Sequence, residues 1–241
     1  MLRTIFYVLG FVFLITSCKS VTIPQGHATL QPITLGCIGQ DNGSLIKTRF
    51  NATAIPDYEK PIKVMVTHIP FTKSTYKQYL KANTLQAKHI EMRKDSIAPN
   101  PSYVQLHITD KVTLLNALNA NTNTDIKDYL SNHANANIIT KVSIALRDEK
   151  IKQLVEAQEV FLEQNGNKSY AIKTYRDNKP TATIHFSDGV IFAYQSNNSC
   201  WKEDSKYQLN IIDLINPLKS CPKKTYRSAK RAKTNINYFK L

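Results

Sequence analysis

Residues 138–146 read Ile-Ile-Thr-Lys-Val-Ser-Ile-Ala-Leu, and residues 148–165 read Asp-Glu-Lys-Ile-Lys-Gln-Leu-Val-Glu-Ala-Gln-Glu-Val-Phe-Leu-Glu-Gln-Asn. The first stretch keeps a strict alternation, which predicts a β-strand with one face in a core. Its alternating positions are Ile138, Thr140, Val142, Ile144 and Leu146. The second stretch predicts an amphipathic helix over 148–165, which Asp148 can cap and Gly166 can end. Its apolar stripe is Ile151, Leu154, Val155, Phe161 and Leu162.

A three-stranded β-meander is predicted directly after this helix. Its strands are 169–175, 181–186 and 190–194. An Asp-Asn-Lys-Pro turn separates the first two, and Asp188-Gly189 separates the last two. An Asp-Gly step between two alternating runs is a strong hairpin signal. Because a meander needs cover on its apolar face, the 148–165 helix is expected to pack against it.

Shorter patterns on either side predict the remaining elements. We expect strands at 33–38, 45–53, 62–67 and 103–108, helices at 73–82, 111–118 and 125–130, an extended loop at 83–101, and a strand or helix at 207–215. The prediction is an α+β fold: a single domain over 32–216 with a largely antiparallel sheet, a C-terminal β-meander and a packed amphipathic helix. The alternative is a split near residue 100 into a β-rich part and an α+β part.

The first eighteen residues have an order of charge and hydrophobicity that is typical of an export signal. Met1–Thr4 is short and positive, Ile5–Ile15 is an unbroken apolar run of 11 residues, and Ile15-Thr16-Ser17-Cys18 ends it. A run of this length fits a secretory signal and is too short to span a bilayer. The order of these parts resembles the lipobox of bacterial lipoproteins. The resemblance implies that residues 1–17 are removed and that Cys18 carries lipid, such as palmitate, on its sulfur and amine. The alternative is an ordinary secretory signal with Cys18 as a plain thiol.

The resemblance implies a cell-envelope location, lipid-anchored to a membrane. Residues 18–31 contain Pro24 and Gly26 and are expected to be a tether. Lys19-Ser20-Val21 lacks the acidic residues of some surface-export signals, which favours a periplasm-facing domain. Asp95-Ser96-Ile97 resembles the O-glycosylation acceptor of exported proteins in Bacteroidota-type bacteria, and that resemblance makes Ser96 a candidate modification site.

Positive charge is unevenly distributed in a chain whose formal net charge is +14. No acidic residue lies between Glu59 and Glu91, and none follows Asp213. The candidate anion contacts in a basic C-terminal tail, 217–241, are Lys223, Lys224, Arg227, Lys230, Arg231 and Lys233. For an exported protein the expected partners are anionic lipid headgroups or acidic envelope polymers, not nucleic acid. The alternative is a solvated tail with no dedicated partner.

Three cysteines remain if Cys18 is lipidated, and they allow three single pairings. We favour a disulfide between Cys200 and Cys221, which would close a loop of about 20 residues and contribute about 3 kcal/mol. It would tie the basic tail to the folded body. Cys37 is then expected to be a small, buried apolar residue.

No catalytic residue is predicted. Asn198-Ser199-Cys200-Trp201 resembles the end of the nucleophile signature of papain-like proteases, but the upstream Cys and Gly and a downstream histidine are missing, which favours a half-cystine or a packed cysteine. His185-Phe186-Ser187-Asp188 is typical of a turn, not of a catalytic triad. Glu156, Glu159 and Glu163 are expected on the solvated side of the 148–165 helix.

Histidine spacing typical of zinc sites is absent from the sequence, so no metal or cofactor is expected. We therefore expect a non-catalytic binding or structural role. The expected partners are a lipid bilayer through acylated Cys18, an anionic envelope polymer or lipid headgroup, and a protein partner. The alternative is an envelope hydrolase acting on glycan or peptide.

Overall fold

A computed structural model describes residues 33–44, 47–86, 101–166 and 169–233 of the 241-residue chain. These residues fall within one compact unit. The strands are β1 (Ile38–Ser44), β2 (Lys47–Ala54), β3 (Ile62–Pro70), β4 (Ser102–Ile108), β5 (Ala136–Ala145), β6 (Glu159–Gln164), β7 (Tyr170–Arg176), β8 (Lys179–His185), β9 (Val190–Glu203) and β10 (Leu209–Ile215). The α-helices are α1 (Lys73–Leu85), α2 (Lys111–Asn119), α3 (Thr124–Asn132), α4 (Asp148–Val155) and α5 (Ala229–Lys233).

The ten described strands form one antiparallel sheet. The order across it is β10-β9-β5-β4-β3-β6-β7-β8, and β1 pairs with both β5 and β2. Register brings Ile38 opposite Ile138 and Ile62 opposite Leu162. Both pairings cross residue 100, so the predicted single α+β domain is confirmed and the alternative split is wrong.

The strand predicted at 138–146 is β5, which pairs with β1, β4 and β9, and both of its faces are buried, not one. Val142 and Ile144 point into the main core, which includes Leu114 and Leu118 of α2. Ala145 points to the opposite face and packs with Tyr79 of α1. Because successive strand residues face opposite ways, α1 and α2 cover opposite faces of the sheet.

Helix α1 is anchored by a capping box and an aromatic cluster. The Thr75 backbone N–H donates to Thr72 Oγ1 at 3.1 Å, and the Thr72 N–H donates to Thr75 Oγ1 at 2.9 Å. Neighbouring ring centroids lie 4.9 to 6.4 Å apart in the cluster of Phe71, Tyr76, Tyr79, Tyr103 and Phe192. Aromatic pairs at these spacings favour tilted and edge-on packing, which holds α1 on the sheet.

The predicted helix over 148–165 is wrong in its second half. Helix α4 ends at Val155, and residues 159–164 form strand β6. Buried Val160 and Leu162 alternate with half-exposed neighbours, and β6 pairs with β7 and β3. As a strand, β6 satisfies its backbone hydrogen bonds with two partners, and Val160 and Leu162 join the main core.

The predicted glutamate face changes accordingly. Glu156 lies just after α4, 3.9 Å from Lys152 Nζ. Glu159 lies on β6 and pairs with Lys63 at 3.0 Å, and Glu163 pairs with Lys173 at 3.1 Å. The three carboxylates therefore do not share a helix face.

The C-terminal meander is present, but its strands are β6, β7 and β8. The prediction that Val190–Tyr194 forms its third strand is wrong, because β9 pairs with β5 and β10. A 3-10 helix, Phe186–Asp188, occupies the predicted Asp-Gly hairpin. The backbone at residue 189 passes so close to β5 that glycine is needed there, because a Cβ would lie 2.6 Å from the Ala145 carbonyl oxygen.

The folded domain extends beyond the expected boundary at residue 216. Tyr226 forms an isolated antiparallel bridge with Trp201, and Ala229 and Ala232 of α5 are buried in the main core. The segment left open at 207–215 is a strand, β10. Residues 217–233 are thus part of the domain and not a separate tail.

Candidate functional site

The predicted disulfide between Cys200 and Cys221 is confirmed, with 5.7 Å between the Cα atoms. Cys200 lies on β9 and is completely buried. Trp201, its neighbour, donates its backbone N–H to the Tyr226 carbonyl at 2.7 Å and accepts from the Tyr226 N–H at 2.9 Å. Cys200 is a half-cystine, so it has no thiol that could act as a nucleophile.

These links hold the predicted anion contacts against the sheet. We name the exposed side chains of Lys223, Lys224, Arg227, Lys230, Arg231 and Lys233 the basic C-terminal surface. The disulfide fixes its start, the Trp201–Tyr226 bridge fixes its middle, and the buried alanines of α5 fix its end. The positive charges are therefore presented on ordered backbone.

Two arginines of this surface border an open cavity of about 370 Å³. Arg227 Nη2 donates to the carbonyl of Pro217 at 2.6 Å and to that of Lys219. The Arg231 guanidinium lies 5.9 Å from the centre of the Tyr226 ring, within cation–π range. The cavity lining adds the residues Ser220, Cys221, Thr225 and Ser228. No acidic side chain is among the described residues that line it.

Part of the stretch between Glu59 and Glu91, which contains no acidic residue, forms helix α1. Lys73, Lys77 and Lys81 are exposed and follow one another at helical spacing of four, which places them on one side of the helix. Lys63 of β3 is paired with Glu159. The lysines of α1 therefore form a second basic face, borne on a helix without an acidic residue.

Cys37 is buried and free, as expected. Burial is the largest effect on this thiol and raises its pKa to about 11. The neighbouring Tyr58 donates its hydroxyl to the Gly36 carbonyl at 2.6 Å, and burial raises the pKa of Tyr58 as well. A thiol that stays protonated at neutral pH is a poor nucleophile.

Sequence reasoning missed a polar cluster centred on Asp41 of β1. Asp41 Oδ1 accepts from the Tyr194 hydroxyl at 2.7 Å, and Oδ2 accepts from Ser196 Oγ at 3.0 Å and Asn137 Nδ2 at 3.2 Å. Asn198 also donates to Asn137 Oδ1. Burial and the Asp41 carboxylate raise the pKa of Tyr194. The only local signal was the uncharged polar run within β9, and nothing in the sequence linked that run to Asp41.

A second open cavity, about 440 Å³, lies beside this cluster. Asp41 and Tyr194 are the titratable groups among its described lining residues, which otherwise come from β9 and from Asn216–Leu218. A hydrolase needs a nucleophile or activated water near a base of matched pKa. Asp41 already accepts three hydrogen bonds, and the raised pKa of Tyr194 keeps its hydroxyl protonated. This geometry favours a structural link between β1 and β9.

The structure places the other singled-out residues as follows. Cys18 and Ser96 lie outside the described residues, so lipidation and O-glycosylation stay predictions. His185 is exposed at the end of β8, and its backbone N–H donates to Asp188 Oδ2 at 3.0 Å. That bond stabilises the local turn and is not part of a catalytic triad. Within the described ranges, no three His, Cys, Asp or Glu side chains group closely enough to hold a metal ion.

Among the described helices, none combines the length and the apolar character needed to cross a bilayer. The basic C-terminal surface combines positive charge, ordered backbone and an adjoining cavity. No protein-family model, curated protein or solved structure matches this chain.

Proposed function

We propose that this protein is a cell-envelope lipoprotein that is anchored through acylated Cys18 and binds an anionic envelope component. The basic C-terminal surface is the contact. The domain has a binding role without catalysis, and it faces the periplasm. Two features support export: the lipobox-like signal, and a disulfide of the kind that persists in oxidising compartments.

The observation that carries the binding role is the order of the basic C-terminal surface. A disordered basic tail loses conformational entropy when it binds, which weakens the complex. Here the Cys200–Cys221 disulfide and the Trp201–Tyr226 bridge already hold the charged segment. Each Lys or Arg near an anionic membrane surface contributes about 1 kcal/mol, and salt screens this attraction.

The anchor is tested by mass spectrometry of the protein purified from bacterial membranes. Loss of residues 1–17 and added acyl mass on Cys18 are expected. Replacement of Cys18 by serine should abolish the added mass. It should also reduce the share of the protein that is recovered in the detergent extract of the membranes. An unmodified Cys18 in the membrane-bound protein would contradict the anchor.

The contact is tested with the mature chain, residues 18–241, carrying Cys18→Ser so that no acyl chain contributes. Its sedimentation with isolated envelopes is measured as salt is raised. The variant Lys223→Gln/Lys224→Gln/Lys233→Gln should sediment less at low salt and lose most of the salt dependence.

The matched control makes the same charge change on α1, with Lys73→Gln, Lys77→Gln and Lys81→Gln. It should retain the parent's sedimentation. If the control loses sedimentation and the C-terminal variant keeps it, the contact is the basic face of α1 and the proposed surface is wrong.

A further inference from the structure

We infer that the cavity beside the Cys200–Cys221 disulfide is a binding site for phosphate groups. The inference rests on the proposed function and names the chemistry that the same surface recognises. The cavity, about 370 Å³, is at the lower end of the range for small-ligand sites, about 300–1,000 Å³. It has room for one phosphate and part of the group that carries it.

The two arginines supply the donors that phosphate prefers. A guanidinium presents five N–H groups in a planar fork, which matches two phosphate oxygens at once. The two hydrogen bonds from Arg227 to the Pro217 and Lys219 carbonyls both use Nη2, and neither uses the N–H groups on Nε and Nη1. Arg231 stands over the Tyr226 ring on the same lining.

Hydroxyl groups complete the lining. Ser220 and Ser228 border the cavity, whereas the hydroxyl of Thr225, which also borders it, donates to the Pro222 carbonyl at 2.8 Å. A phosphate monoester carries about −1.5 to −2 charge and three acceptor oxygens, whereas a carboxylate carries a single charge and two oxygens. Two guanidinium groups with the hydroxyls of Ser220 and Ser228 therefore favour phosphate over carboxylate.

The cavity is also fixed in shape before any ligand arrives. Cys221 in its wall is bonded to buried Cys200, and Tyr226 in its wall pairs with Trp201. The carbonyls of Pro217 and Lys219 hold the Arg227 side chain. Because these groups are held by the fold, little ordering remains to oppose binding.

The test uses the mature chain with Cys18→Ser and measures binding by calorimetry at constant ionic strength. The probes are inorganic phosphate, vesicles of phosphatidylcholine containing phosphatidic acid, and polyglutamate. Phosphate should bind, and it should compete with the phosphatidic acid vesicles. Vesicle binding much tighter than phosphate binding identifies a lipid headgroup as the source, and equal binding identifies free phosphate.

The variant Arg231→Lys keeps the charge and removes the fork, so it should weaken phosphate binding about tenfold or more. Ser220→Ala, which leaves both arginines and their contacts intact, should weaken it less. The control Lys73→Arg/Lys77→Arg, on α1 and outside this cavity, should bind phosphate as the parent does. Near-ultraviolet circular dichroism and an intact disulfide establish that each variant is folded.

The inference is overturned if polyglutamate binds as tightly as phosphate and Arg231→Lys has no effect, or if phosphate does not bind. In either case, salt-dependent sedimentation with envelopes that still requires Lys223, Lys224 and Lys233 leaves the proposed function standing. Loss of that sedimentation alone removes the proposed function and leaves the phosphate measurement valid.

Discussion

Asn123 binds both backbone groups of Asp57. The Asp57 N–H donates to Asn123 Oδ1 at 2.7 Å, and Asn123 Nδ2 donates to the Asp57 carbonyl at 2.8 Å and to that of Ala117 at 2.8 Å. The Asn123 side chain is almost fully buried. It pairs Asp57, in the irregular segment between β2 and β3, as a neighbouring strand would, so both backbone groups of that residue have a partner.

Replacing Asn123 by alanine should lower the free energy of unfolding by about 2–4 kcal/mol, because buried backbone groups lose their partners. Urea unfolding measures this. The control is Asn132→Ala, in an exposed residue whose Nδ2 donates to the Asp128 carbonyl at 3.0 Å. That variant should lose less than about 1 kcal/mol. Equal losses in both variants would show that the hydrogen bonds to Asp57 contribute no more to stability than the exposed bond of Asn132.

Removing the Cys200–Cys221 disulfide should lower the free energy of unfolding by about 3 kcal/mol, as expected for a loop of this length. The double variant Cys200→Ala/Cys221→Ala is compared with the parent in urea. Limited proteolysis provides a second readout, since the lysine-rich segment after Cys221 should be cut sooner once the covalent link is gone. Unchanged cleavage would mean that the Trp201–Tyr226 bridge and α5 suffice to hold the segment.

The buried thiol of Cys37 should make stability fall as pH rises. Burial raises its pKa from 9.0 to about 11, so between these values the folded chain keeps a proton that the unfolded chain has released. The stabilising contribution is complete below about pH 9 and is lost through pH 11. It amounts to about 2–3 kcal/mol at 1.4 kcal/mol per pKa unit.

The measurement compares the parent with Cys37→Ala across this pH range, so that groups common to both chains cancel. The difference in unfolding free energy should shrink as pH rises. A constant difference would show that the thiol pKa is not raised in the folded state.

Replacing Asp41 by asparagine should lower the pKa of Tyr194 and destabilise the domain by about 1–2 kcal/mol. The carboxylate accepts the Tyr194 hydroxyl at 2.7 Å and contributes to raising its pKa. Tyrosinate absorbance during an alkaline titration reports the change, and Tyr194→Phe identifies which component belongs to this residue. A titration that is unchanged by Asp41→Asn would leave burial as the sole cause.

Local sequence patterns predicted those helices and strands whose buried face is set by the spacing of their own apolar residues. Helices α2 and α3 were expected within one or two residues of where they lie, and α1 begins at Lys73 as expected. The stretch from Glu159 to Gln164 was not predictable in this way. Its apolar residues fit both a helix and a strand, and pairing with β7 and β3 decides between them.

Partner choice is the part that the sequence could not show. The Asp188-Gly189 step is typical of a hairpin, yet β9 continues to β5 and β10. The polar cluster of Asp41, Asn137 and Ser196 combines three strands that are distant in sequence. The disulfide was predictable because so few cysteines remained to pair. The cavity beside it was not, since it depends on where Tyr226 pairs.

The pairings of Ile38 with Ile138 and of Ile62 with Leu162 constrain the order in which the chain can fold. Neither β1 nor β3 has all its strand partners until β5 and β6 have been synthesised. Long-range pairings of this kind form slowly, because a large loop must close first. The amino-terminal strands can pair locally, β1 with β2 and β3 with β4, but they complete their pairing only once the middle of the chain is present. If the chain is exported as we propose, this delay keeps it extended for passage through a translocation channel.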